Sequence, residues 1–99
     1  MEENKVFLMM SGYKVPFTMI KKGIRGILVQ GRRGFEERYL VKSDTGVLLD
    51  SQKEYVFDTG VEHSYQILQI NEVNGALVYV IGRASLDVIE AEVVKGEDK

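Results

Sequence analysis

The chain has 99 residues, 44% of them hydrophobic and 28% charged, with a net charge of −2, one histidine, one proline and no cysteine or tryptophan. That length holds one domain around one core, and the composition is that of an ordinary globular protein rather than a disordered one. Without cysteine there are no disulfides, thiolate metal sites or cysteine nucleophile, and no apolar run approaches the roughly 20 residues of a membrane helix.

The modest net charge conceals a division along the sequence. Lys14, Lys21, Lys22, Arg25, Arg32, Arg33, Arg38 and Lys42 fall in one stretch with only Glu36 and Glu37 against them, whereas the chain from Ser43 onward is predominantly acidic. Such segregation predicts a charge dipole if the basic stretch folds onto one part of the surface.

The acidic start Met1-Glu2-Glu3-Asn4 and the brevity of the apolar run behind it do not fit a secretory signal, and a cytoplasmic location is expected. In that run, Val6-Phe7-Leu8-Met9-Met10, both strand faces are apolar. The strand is then either buried on both sides or paired across an interface, which makes a homodimer through Val6 to Met10 the alternative to burial. Val15 to Ile20 follows, with Pro16 requiring an edge position or the start of a strand because it has no N–H to donate. Lys21, Lys22 and Arg25 surround an expected turn, Gly26 to Gln30 forms the next short run, and Gly31-Arg32-Arg33-Gly34 reads as a hairpin tip.

Phe35 to Lys42 is the clearest strand, placing Phe35, Glu37, Tyr39 and Val41 on one face and Glu36, Arg38, Leu40 and Lys42 on the other. Ser43-Asp44-Thr45-Gly46 reads as a further hairpin tip before the short runs Val47 to Asp50 and Glu54 to Asp58. Tyr65 to Glu72 and Ala76 to Gly82 flank Asn74-Gly75, a pair suited to the type I′ turn of a tight hairpin. Ala84 to Lys95 reads as a strand from its β-branched residues, with a short helix capped by Ser85 as the alternative, and Gly96 to Lys99 as a frayed tail. Residues 1–99 are thus expected to form a single all-β domain, a small antiparallel barrel or curled sheet of about six to nine short strands in the size class of SH3-like and OB-like barrels.

The basic stretch is the first functional candidate. Lys and Arg along a groove or at hairpin tips attract phosphates, and interleaved Tyr13, Phe17, Phe35 and Tyr39 offer stacking platforms, although polar turns and apolar aromatics also arise from solvation and core packing alone. The tripeptide Asp-Thr-Gly occurs twice, at Asp44 and Asp58. Phe57-Asp58-Thr59-Gly60-Val61-Glu62-His63-Ser64, followed by Tyr79-Val80-Ile81-Gly82-Arg83, locally resembles the retroviral-type aspartic proteases, which implies paired carboxylates activating a water. The chain departs from that pattern in having too few residues between Asp58 and Gly82 for a flap hairpin and the intervening strands. Asp-Thr-Gly is also ordinary turn chemistry, Asp bonding its own backbone and Gly taking positive φ.

His63, with Ser64 adjacent, reads as a loop residue, because neighbours on a strand point to opposite faces and cannot form a triad. Asp44, Asp50, Glu54, Asp58 and Glu62 lack the spacing of a calcium loop, and Gly23, Gly26 and Gly31 lack that of a phosphate loop. The expectation is a non-enzymatic binding module without catalytic residues, metal or cofactor, engaging nucleic acid or another phosphate-bearing ligand through Lys21, Lys22, Arg25, Arg32, Arg33, Arg38 and Tyr39. The alternative is a protein-interaction module steered by its charge dipole.

Overall fold

The computed structural model describes residues 4–85. They form six strands, β1 (Lys5–Met10), β2 (Tyr13–Val29), β3 (Arg32–Ser43), β4 (Glu54–Asp58), β5 (Glu62–Val73) and β6 (Ala76–Ser85). The strands close into a barrel in the order β1-β2-β3-β6-β5-β4 with every neighbouring pair antiparallel. The expected all-β antiparallel barrel is what the chain forms.

Alternating side chains build the core. Val6 and Leu8 of β1, Val15 and Phe17 of β2, Tyr39 and Val41 of β3, Phe57 of β4, Tyr65 and Ile67 of β5 and Tyr79 and Ile81 of β6 are buried together. Four aromatic contacts run through them: Phe17 to Phe57 at 5.4 Å, Phe17 to Tyr79 at 6.1 Å, Phe57 to Tyr65 at 6.0 Å and Tyr65 to Tyr39 at 5.7 Å between ring centres. Three of them, all but Phe17 to Tyr79, are edge-to-face, an arrangement that adds to the area it buries. The Phe35 to Lys42 alternation comes out as expected, with Tyr39 and Val41 inside and Arg38 and Lys42 exposed.

Two tight turns follow the residue chemistry. Asn74 (φ 53°) and Gly75 (φ 81°) join β5 to β6, and Gln30 (φ 55°) and Gly31 (φ 78°) join β2 to β3, both central residues being left-handed as a type I′ turn requires. Arg32 and Arg33 therefore do not sit at the tip, as expected, but begin β3. The expected turn around Lys21, Lys22 and Arg25 is also absent. β2 runs unbroken from Tyr13 to Val29, because Gly23 and Gly26 take neither a positive φ nor a turn.

Ser43 to Gly46 is not a hairpin tip and Val47 to Asp50 is not a strand. β3 already has β2 and β6 as neighbours, so residues 44–53 cross one end of the barrel to reach β4, a Greek-key connection. Leu49 is buried in the core. Its N–H donates to the Tyr79 hydroxyl at 3.0 Å, and that hydroxyl donates to the Val47 carbonyl at 2.9 Å.

The Val6 to Met10 run serves the chain's own fold: Val6 and Leu8 are buried and β1 lies between β2 and β4. Pro16 stands where β2 has one partner, pairing with Phe7 of β1 just before β3 joins at Phe17. No helix among the described residues is long and apolar enough to cross a membrane. β6 accounts for Ala84 and Ser85, and the rest of the segment expected as strand or helix lies outside the described residues, as does the expected frayed tail.

Candidate binding surface on the β2–β3 arm

A register shift between Met19 and Lys21 marks a bulge at Ile20. The extra residue reverses which side chains of β2 face inward. Before the bulge the inner residues are Val15 and Phe17; after it Lys22, Ile24, Gly26 and Leu28 share the face of Tyr39, Glu37, Phe35 and Arg33, with which they pair. Lys21, Gly23, Arg25, Ile27 and Val29 lie on the opposite face with Leu40, Arg38, Glu36, Gly34 and Arg32. β1 accompanies β2 only as far as Thr18. From Met19 to Val29 the outer edge of β2 has no strand against it among the described residues, so the β2–β3 hairpin continues as an arm.

All six cations expected to bind ligand come together on this arm. They do not form one uniform surface. Arg25 Nε donates to Glu36 at 2.9 Å and Arg38 Nε to the other oxygen of the same carboxylate at 3.3 Å. Partial burial disfavours ionisation of Glu36, but the hydrogen bonds and charges of the two arginines outweigh it and hold the carboxyl below its usual range. Lys22 lies 5.9 Å from the centre of the Tyr39 ring, a cation–π contact. Arg32 and Arg33 are exposed at the start of β3, one on each face. Tyr39, expected as a ligand-stacking residue, is only 6% exposed, and Phe17 is fully buried. Both rings are core, and neither presents a face to a base.

Where the inner face of the arm meets the barrel mouth, Glu37 receives the Tyr65 hydroxyl at 3.3 Å and pairs with Arg83 at 3.5 Å. Arg83 in turn lies 6.0 Å from the Phe35 ring centre. Burial, helped by the nearby Tyr39 and Glu37 and opposed by a hydrogen bond with Thr59, pushes the Tyr65 phenol up to about 12, so it stays a neutral donor. Among the described residues no buried side-chain polar atom lacks a hydrogen-bond partner.

The feature that sequence reasoning missed is apolar. Ile20 (54% exposed), Ile24 (58%), Leu28 (72%) and Val29 (41%) stand out along the open side of β2. Four-residue spacing places Ile24 and Leu28 on one face of a strand, a signal present in the sequence but hidden once Gly23 and Gly26 are taken as marking a turn.

The other sequence candidates separate. Asp44 is held by Lys5 and by the Thr18 hydroxyl at 2.9 Å, and these hydrogen bonds outweigh its burial and lower its pKa. Asp58 accepts the Gly60 N–H at 2.9 Å and pairs with Lys14 at 3.8 Å. The second Asp-Thr-Gly is the expected Asp turn; in the first, the Ser43 hydroxyl accepts the Gly46 and Val47 N–H groups instead. His63 is on β5 opposite Phe57 and half-buried rather than in a loop. It lines a 440 Å³ cleft with Glu54, Ser64, Gln66 and the β6 residues from Gly82 to Ala84. No three acidic or histidine residues among those described converge as metal ligands would. No family model, curated protein or solved structure matches the chain.

Proposed function

We propose that this protein is a non-enzymatic interaction module that contacts a protein partner through the open edge of its β2–β3 arm. The observation that carries this reading is the coincidence of a strand edge from Met19 to Val29 that no described residue pairs with and the exposed Ile20, Ile24, Leu28 and Val29. An extended partner segment added to such an edge gains main-chain hydrogen bonds, and the aliphatic side chains supply the apolar contact. The arm's cations steer a partner of suitable charge and fix its register.

A phosphate-bearing ligand is the second reading. Its support is that Lys21, Lys22, Arg25, Arg32, Arg33 and Arg38 all lie on one two-stranded ribbon, a shape that a nucleic-acid major groove admits. Against it stand the burial of Tyr39 and Phe17 and the use of Arg25 and Arg38 by Glu36.

One experiment separates the two. The full chain is used as bait in nuclease-treated cell extract beside a Leu28→Lys variant, and is titrated with single- and double-stranded DNA and RNA at low and moderate salt beside Arg32→Ala/Arg33→Ala. The protein reading expects nuclease-resistant captures that Leu28→Lys abolishes and nucleic-acid binding that is absent or unaffected by the arginine variant. Salt-sensitive nucleic-acid binding lost in the arginine variant, with no capture dependent on Leu28, overturns it in favour of the phosphate reading.

A further inference from the structure

We infer that the partner of the β2 edge is a second copy of the same chain, the two arms pairing antiparallel about a two-fold axis at Ile24. The inference rests on the reading of the arm as a protein contact and names its occupant.

Among the described residues the open edge runs from Met19 to Val29, and Ile24 is its midpoint, so antiparallel self-pairing about Ile24 uses the whole edge. In that register Ile24 meets Ile24 of the second copy, Lys22 meets Gly26, Arg25 meets Gly23 and Lys21 meets Ile27. No cation stands directly opposite another. Moving the axis one residue towards the barrel, to Gly23, sets Lys21 opposite Arg25; moving it one residue towards the tip, to Arg25, sets Arg25 opposite itself. Like charges directly opposite destabilise a strand pair, so the arm's own charges disfavour both adjacent registers, and the centred one pairs the greatest length of edge.

The two glycines supply an independent observation. Glycine inside a strand costs roughly 0.5–1 kcal/mol relative to alanine, and such a residue usually answers a need for close approach. Neither glycine has that need among the described residues. A Cβ at Gly23 would meet nothing within 4 Å, a Cβ at Gly26 only the Gly34 carbonyl at 3.9 Å, and neither takes a left-handed φ. In the paired arms each faces a long cation of the second copy, whose methylene stem lies across the bare glycine backbone. The exposed aliphatics gain cover in the same step: Ile24 is 58% and Leu28 72% exposed, and in the four-stranded sheet each acquires a cross-strand neighbour.

The interface is narrow and joins two cationic arms, so the dimer is expected to be weak, with a Kd in the micromolar range, and to tighten as salt rises to moderate levels. An acidic protein segment or a nucleic acid on the same edge would instead weaken with salt.

The test uses the full chain, which has no cysteine. Sedimentation from about 5 to 300 μM should show a monomer–dimer equilibrium, shifted to monomer by Ile24→Lys, which sets two ammonium groups opposite each other at the axis. Under mild oxidation Ile24→Cys should form a disulfide-linked dimer at least tenfold faster than Leu48→Cys, an exposed control off the arm, because directly opposed Cβ atoms lie within disulfide reach. Circular dichroism confirms that all three variants fold. A monomer at every concentration, or equal crosslinking at the two positions, overturns the self-pairing. In that event, captures from extract lost in Leu28→Lys leave the arm a contact for a different protein; with no such captures the arm reading fails as well.

Discussion

At the scale of single residues, the Tyr79 hydroxyl ties the crossover of residues 44–53 to the barrel. It accepts from the Leu49 N–H and donates to the Val47 carbonyl, holding the crossover that places Leu49 in the core. Tyr79→Phe removes the acceptor and leaves the buried N–H unpaired, which costs about 1–3 kcal/mol. Chemical denaturation should show that loss with an unchanged denaturant slope; a loss under a few tenths of a kcal/mol would mean that water satisfies the Leu49 N–H. Gly82 is a second tightly placed position, because a Cβ there would lie 2.7 Å from Leu68 Cδ1. Leu68 is at the β5 register shift between Ile67 and Gln69, so the bulge turns its side chain across the space that Gly82 leaves.

At the scale of elements, β2 is two strands in function. Up to Thr18 it pairs with β1, with β3 joining on the other side from Phe17, and contributes Val15 and Phe17 to the core; from Met19 on it has β3 alone among the described residues. Amides with one strand neighbour open more readily than those enclosed by two. Hydrogen exchange on the full chain at low concentration should therefore find residues 21–29 exchanging at least tenfold faster than residues 36–41 of β3, which lie between β2 and β6. Uniform protection across both strands would show that the arm's outer edge is covered in solution. The same measurement at high concentration reports protection that self-pairing adds.

At the scale of the whole molecule, the charge pattern sets the pH range of stability. Asp44 and Glu36 have lowered pKa values in the fold. Their contribution is present above the ordinary carboxylate range and is lost as pH falls through the lowered values. Tyr65 has the opposite sign, its raised pKa giving stability that is present below pH 10 and lost as pH climbs towards about 12. The urea midpoint is expected to stay level between about pH 5 and 9 and to fall on both sides. Asp44→Asn should flatten the acid limb and Tyr65→Phe the alkaline one. An acid limb unchanged by Asp44→Asn would assign it to other carboxylates.

Much of the architecture was legible because it depends on local chemistry. The Asn74-Gly75 hairpin, the Phe35 to Lys42 alternation and the all-β class follow from φ preferences and a two-residue period that neighbouring residues alone determine. The cations of the candidate surface were also legible as a cluster, since strands joined by a tight turn keep neighbours in sequence together in space.

What local chemistry could not decide was which strand ends have neighbours. Gly23 and Gly26 look the same in sequence whether they bend a turn or lie in a straight strand, and only the pairing of Lys21 to Val29 with β3 makes them the latter. Tyr39 looks the same as a platform or as core until β5 closes over it with Tyr65. Barrel closure brings β3 and β6 together across a long stretch of chain and sends Val47 and Leu49 over the barrel's end, while the pairing of β2 with β1 stops at Thr18 and, among the described residues, leaves the rest of that edge open. Composition and spacing determined that this protein is a small β domain with a basic segment; long-range pairing alone decided that the segment is an arm with an exposed edge, because strand partnership is a property of the closed sheet and of no single stretch of sequence.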